Sequence, residues 1–535
     1  MPISHFIRIL IALLLFTNLP IVNAATPATS TQRLPLELPK LAYELRDEQS
    51  NSTKPEATED LWQRMRMNFS LPTSNHKNIQ PQLNWYKKHP NYLKRVSKRA
   101  KPYLYAVLNE VEARGLPSEL ALLPIVESAY DPFAYSHGRA AGLWQMIPGT
   151  AKRFGLEHNW WLDGRRDVLA STNAALDYLE YLHRYFDEDW LLALAAYNSG
   201  EGTVGRAQRK NRKQGKATDF WSLKLPKETR AYLPKMLALK TIILNADEFK
   251  ISLEPIKNQP FLQRVQIGSQ IDLDLAAELA DISVEQIYRY NPAFNRWATP
   301  PKGPFELLIP SEKNEQFKQN IKNYPEEKRI NWQRHTIKSG ESLGKIAHRY
   351  RTTTQLLKKV NNLKSHRIRA GKILIIPLAR RDLKDYSLSA EQRLQQQQNR
   401  QRQGRKKITH KVAKNETFSD IALKYHVGIR QLAKWNNMAP GDSLRQGRIL
   451  TIWIKKSQRS GRFSNPARFQ HPLQKTAKRR ISYTVRSGDS LASISQRFKI
   501  SLSDLQRWNK NKLRGKYLKP GQRLKIYVNT TDRKS

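Results

Sequence analysis

Four times in the C-terminal half of this 535-residue chain, a helix-capping residue is followed nineteen positions later by an asparagine. The pairs are Asp272 and Asn291, Ser342 and Asn361, Thr417 and Asn436, and Ser490 and Asn509. After three of these caps the apolar residues step by one, four and eight: Leu343, Ile346 and Tyr350; Phe418, Ile421 and Tyr425; Leu491, Ile494 and Phe498. That stepping is one face of a two-turn helix. A second short helix ends near each Asn, and a Gly then opens an alternating strand, as in Gly371 before Ile373 and Ile375, Gly447 before Ile449, and Gly521 before Leu524 and Ile526. Another strand precedes each cap, as in Tyr483-Thr484-Val485-Arg486. Each unit therefore reads strand, helix, helix, strand, with a core so thin that it is only marginally stable alone. The expected fold is multidomain α+β, with units at 335–377, 408–454 and 481–528 and a degenerate copy at 265–310. In that copy Leu273, Ala276 and Ala280 replace the larger apolar residues, and it is expected to serve as a spacer.

The rest of the chain divides by composition. Arg8, the apolar run Ile9 to Phe16 and the small residues Val22-Asn23-Ala24 before Ala25 predict a cleaved export signal over 1–24, with an uncleaved anchor as the other reading. Residues 25–60 read as a tether, and from Leu61 to about 250 apolar residues recur at helical spacing, as in Ala175, Tyr178, Leu179 and Leu182. Residues 379–407, with Gln395 to Gln398 and many Arg, and 455–480, with nine Lys or Arg and no acid, read as basic linkers extended by self-repulsion.

With 93 Lys plus Arg against 46 Asp plus Glu, the charge of +47 requires a polyanionic neighbourhood. Export directs that charge to wall polymers and anionic envelope surfaces rather than to nucleic acid. The absence of cysteine excludes disulfides, thiolate metal sites, thiol nucleophiles and a lipid on an N-terminal Cys. The twelve His show no ligand spacing, so no metal is expected.

Ser118 reads as the cap of an apolar helix that runs to Glu127, on the same face as Leu120 and Leu123. A carboxyl at the end of a buried helix holds its proton near neutral pH, as a general acid for glycosidic cleavage must. A buried Glu paired to Arg is, from this helix alone, an equal reading. The following blocks decide it: Glu127-Ser128-Ala129-Tyr130 through Ser136, Gly142-Leu143-Trp144-Gln145, Ala195-Ala196-Tyr197-Asn198-Ser199-Gly200-Glu201-Gly202, and Glu228-Thr229-Arg230-Ala231-Tyr232. In this order they resemble the catalytic domain of the soluble-lytic-transglycosylase family, which has a goose-lysozyme-like helical fold. The C-terminal units resemble LysM modules, which bind N-acetylglucosamine.

The resemblance implies a peptidoglycan lytic transglycosylase that cleaves the MurNAc–GlcNAc β-1,4 bond without water, leaves 1,6-anhydro-MurNAc ends and is anchored on glycan strands by its repeats. It carries the acid/base role to Glu127 and places Ser136, Gln145, Tyr197, Asn198, Glu228 and Tyr232 in the sugar cleft. No cofactor is implied. Trp144 reads equally as a sugar platform or as core, and Gly200 and Gly202 as turn residues. Asp131 is the nearest second carboxylate but precedes Pro132 and reads as a turn. The loops Gly340-Glu341-Ser342, Asn415-Glu416-Thr417 and Gly488-Asp489-Ser490 would face sugar or simply form turns and caps. The expected location is the periplasm or cell envelope, without Cys lipidation. A muramidase-type hydrolase and a non-catalytic wall-binding scaffold stay open as other readings.

Overall fold

The computed structural model describes residues 58–455 except 137 and 351, and 478–529 except 486–488, 499, 501, 510–512, 514–517 and 519–520. The expected signal at 1–24, most of the tether and the middle of the 455–480 linker lie outside the described residues. The ends of that linker belong to strands, Ile449–Lys455 and Lys478–Thr484. No helix among the described residues is long and apolar enough to cross a membrane.

Residues 61 to 244 form a helical unit around one core. Its central helix, Trp190–Ser199, is apolar nearly all round and is therefore enclosed, by helices Val168–Tyr185, Glu201–Arg212 and Lys227–Leu244. Asp189 caps it by accepting from Leu191 N and Leu192 N at 2.8 and 3.0 Å. Ala175, Tyr178, Leu179 and Leu182 are buried along the stripe expected of them.

The helix before Glu127 departs from expectation. Ser118–Leu122 is a 3₁₀ turn, and the α-helix is only Leu123–Ser128, with Pro124 in its first turn. Ser118 caps nothing: it is fully buried, and its hydroxyl donates to Met65 O at 2.9 Å. A buried hydroxyl has to find an acceptor, and an end carbonyl of the first helix, Leu61–Met67, supplies one. Beside it Glu119 is also buried, ion-paired to Lys240 at 2.8 Å and accepting from Ser70 N and Leu71 N. That pair ties the turn to helix Lys227–Leu244, and helical periodicity alone did not reveal it.

The repeats have the expected strand, helix, helix, strand order, each closed by a two-stranded antiparallel sheet. Their nineteen-residue spacing has a physical cause. The first residue caps helix one: Ser342 accepts from Lys345 N, Thr417 from Asp420 N and Ser490 from Ser493 N. The Asn ends helix two and staples it to the second strand. Asn361 donates to Leu357 O and Ile375 O, both at 2.8 Å, and accepts from Ile375 N. Asn436 makes the same three bonds with Leu432 and Thr451, and Asn509 with Leu505 and Lys525. Asn291 repeats them with Ile287 and Leu308. From Asn to strand the separation varies, at 17, 14, 15 and 16 residues along the chain, so the loop between them absorbs all the length variation.

Two expectations are corrected. The degenerate copy is not a free spacer, because Asp163 N donates to Ala293 O and Asn295 N to Trp161 O, and Trp161 and Leu162 of the helical unit enter its core. Residues 379–407, expected to be extended, instead fold back as a strap. Tyr386 is buried, and its hydroxyl donates to Asp272, which also accepts from Arg380 N at 2.9 Å. Helix Ala390–Asn399 follows, capped by Ser389. Part of the repulsion that would extend the strap is relieved by acids elsewhere in the chain: Arg380 pairs with Glu278 and Arg381 with Asp274.

Candidate active site

Helix Leu123–Ser128 ends one residue after Glu127, where Ala129 and Tyr130 both take φ of 53°. Two consecutive left-handed non-glycine residues are strained and must be held in place. The anchor is Tyr130, fully buried, whose hydroxyl donates to Ala121 O at 2.8 Å. The break turns the chain away and leaves Glu127 half-buried on the wall of a cleft of about 750 Å³.

Every residue expected in the site lines this one cleft: Glu127, Ser136, Gln145, Tyr197, Asn198, Glu228 and Tyr232. Tyr232 donates its hydroxyl to Glu127 Oε1 at 2.6 Å. Burial pushes the Glu127 pKa up to about 7, against the Tyr232 hydrogen bond and the Lys235 ammonium, which lower it, and with the Glu228 charge, which raises it further. Among the described residues no arginine bonds it, so none of them supplies the ion pair of the other reading. Burial holds both Tyr197 and Tyr232 well above the ordinary phenol pKa, so they remain proton donors. Lys235, pulled below the usual lysine range by burial, also lines the cleft and was not singled out from sequence. Its one signal was position, three residues after Tyr232 on the same helix.

The opposite wall is built by loops. Ser136 Oγ accepts from Gly138 N and Ala140 N, at 3.2 and 3.0 Å. Gln145, at φ 47°, is locked by donation to Gly142 O at 2.8 Å and Ala134 O at 3.3 Å. Gly142 sits at φ 82°, and a Cβ there would lie 1.8 Å from Arg165 O, so only glycine fits. Arg165 is itself fixed by a two-point bond to Asp163, both distances 2.8 Å. Asp163 and Arg165 therefore shape the cleft without lining it.

Trp144 is core rather than platform: it is fully buried, and its indole N–H donates to Thr172 Oγ1 at 2.9 Å. Its backbone carbonyl does serve the site, accepting from the Tyr197 hydroxyl at 2.7 Å. Gly200, at φ 83°, makes the expected turn, whereas Gly202 lies inside helix Glu201–Arg212. Asp131 accepts from Phe133 N in a turn and does not line the cleft. Glu201 lines it but is engaged by Tyr178 Oη at 3.2 Å and Arg153 at 3.6 Å.

In the repeats, Glu341 Oε2 lies 2.8 Å from His335 Nε2 and accepts from Lys338 N, while Glu416 Oε2 lies 2.7 Å from His410 Nε2 and accepts from Ala413 N. In the third repeat Tyr483 donates to Asp489 at 2.6 Å. These acids stabilise the turn. Gly488 of that loop lies outside the described residues.

Three family models match the chain. Residues 108–220 match the transglycosylase SLT domain, residues 261–325 the LysM-like domain of lytic transglycosylase MltD, and residues 335–377, 410–453 and 483–526 the LysM domain. The chain is 27% identical, over 28% of its length and 25% of the other's, to an inactive variant of lytic transglycosylase Slt from Pseudomonas aeruginosa, at a TM-score of 0.23. It is 38% identical over 101 residues, 18% of this chain and 21% of the other, to membrane-bound lytic murein transglycosylase F of Desulfosudis oleivorans. To membrane-bound lytic murein transglycosylase D of Escherichia coli it is 35% identical over 412 residues, 74% of this chain and 86% of that one. On that identity and coverage, this chain belongs to the family of membrane-bound lytic murein transglycosylase D.

Proposed function

We propose that the chain cleaves the MurNAc–GlcNAc β-1,4 bond of peptidoglycan without water, with Glu127 as both acid and base and the LysM repeats holding it on the glycan. The observation that carries the reading is the Glu127 carboxyl on the cleft wall with the Tyr232 hydroxyl on its Oε1. The tyrosine occupies that oxygen, which leaves Oε2 as the one to pass a proton to the leaving oxygen. Once the proton has gone, the same tyrosine bond strengthens and stabilises the carboxylate. A pKa near 7 suits both directions of transfer.

A hydrolase normally needs a second carboxylate to activate water or to attack C1. A transglycosylase does not: the neighbouring N-acetyl group stabilises the cation at C1, and Glu127 then takes the proton of the sugar's own 6-hydroxyl as that oxygen attacks C1. Because the nucleophile is intramolecular, its effective concentration is high. Ser136, Gln145, Tyr197 and Asn198 read the sugar through hydrogen bonds, and Glu228 and Tyr232 close the cleft around it.

The same reading places the mature chain in the envelope after export, where its charge of +47 also favours adhesion to anionic surfaces. Mass spectrometry of sacculi digested by the purified protein tests the activity. Anhydro-muramic ends are expected from the native chain and none from Glu127→Gln, and reducing muramic ends would support the hydrolase instead.

A further inference from the structure

A second cavity, of about 550 Å³, adjoins the cleft, and Ser136 lines both. One wall is the loop from Asp131 to Ser136 together with Arg166; the other is the strap helix Ala390–Asn399 and helix Ile429–Trp435 of the middle repeat. Polar contacts join these elements around it. Arg139 is ion-paired with Asp442, Gln397 Nε2 donates to Lys434 O, and Gln398 Nε2 donates to Asn436 Oδ1, the last two at 3.1 Å.

The charge of this cavity is one-sided. Arg166, Arg393, Arg430 and Lys434 line it against the single carboxylate of Asp131. Two of the cations are desolvated and incompletely matched. Arg166 is 5% exposed, its acid partner Asp163 at 3.4 Å is already held by Arg165, its Nη1 reaches Asn295 Oδ1 at 3.3 Å, and its Nε finds no acceptor among the described residues. Arg393 sits 4.7 Å over the Phe133 ring and bonds Leu388 O and Asn295 Oδ1, and no carboxylate pairs with it among the described residues. Burial and the nearby Arg166 charge push its pKa down to about 9. A buried guanidinium beside a half-buried one, with one shared acid between them and Arg165, is a costly arrangement that an anion would complete.

We propose that this cavity is a second substrate subsite, which takes the carboxylates of the peptide stems carried by the glycan strand. The proposal rests on the reading of the cleft as a glycan site. A stem leaving the strand near Ser136 enters a space of ligand size whose planar guanidiniums match carboxylate geometry. Phosphate from a wall polymer or a lipid headgroup offers similar acceptors, but a branch of the bound strand is delivered at high effective concentration.

The test uses the full chain and the double variant Arg430→Gln/Lys434→Gln, whose side chains are both exposed and support no core. kcat/KM is measured on glycan strands with native stems, on strands whose stem carboxylates have been amidated, and on strands stripped of stems by an amidase. For the parent, native stems are preferred over stripped strands, and amidated strands behave like stripped ones. In the variant the preference falls by roughly tenfold. An unchanged ratio, or amidated strands cleaved as well as native ones by the parent, overturns the proposal. So does inhibition by inorganic phosphate or phosphatidylglycerol vesicles that disappears in the variant while the ratio stays fixed, since it assigns the site to phosphate. Should the parent leave no anhydro ends on any strand, the reading of the cleft fails instead.

Discussion

The proton affinity of Glu127 sets both a pH profile and a stability profile. Its acid form is lost as pH rises through about 7, so activity has its basic limb there. The Tyr232 bond favours the charged form, so Tyr232→Phe should move that limb to higher pH while lowering kcat by about tenfold; a limb displaced to lower pH would contradict the bond's role. Glu127→Gln keeps the shape and should lose about 10²- to 10⁴-fold in kcat. Stability should change as well. The unfolded carboxyl releases its proton near the ordinary value of 4.5 and the folded one near 7, so between those values the folded state binds more protons and stability falls as pH rises. The amide removes that slope: the melting temperature of the variant should exceed the parent's at pH 8, by roughly 2–4 °C per kcal/mol recovered, and match it at pH 4. The seven residues expected in the cleft could be singled out because each sits in a local motif, and the structure brings those seven to one cleft. Lys235, the Glu119–Lys240 pair and the buried role of Trp144 were not legible, because each depends on which distant element lies opposite.

Among the elements, the repeats were the most readable, since one pattern of caps, apolar steps and asparagines recurs and its regularity is imposed by hydrogen bonds. Asn436 is buried with four bonds, three forming the staple and one from Gln398, so Asn436→Ala should cost the middle repeat about 2–3 kcal/mol, against about 1 kcal/mol for loss of the Thr417 cap. Hydrogen exchange in strand Ile449–Lys455 is the readout, and equal effects of the two substitutions would remove the staple as the cause of the spacing. The strap was misjudged for the opposite reason. Its anchoring residues Leu383, Tyr386 and Leu388 are scattered among cations, without a period to mark them, and the acids that neutralise its arginines lie about a hundred residues earlier. Composition described the segment's charge correctly and its conformation wrongly.

For the whole molecule, the strap makes the boundary between catalysis and wall binding a packed junction. Asp272 caps a helix in the degenerate copy and also takes the Tyr386 hydroxyl and Arg380 N–H. A chain ending at residue 378 strips both partners from this carboxyl, whose burial already raises its pKa to about 6. It should melt lower than a chain ending at residue 404 by roughly 5 °C or more, although the added residues include no repeat. Equal melting temperatures would return the strap to the status of a linker. The central claim is that one carboxyl breaks the glycan without water, and the isotope content of the products tests it most directly. Sacculi digested in ¹⁸O-labelled water should yield muropeptides ending in anhydro-muramic acid, lighter by one water than hydrolysis products and free of label, whereas labelled reducing ends would contradict the claim even if Glu127 proved essential.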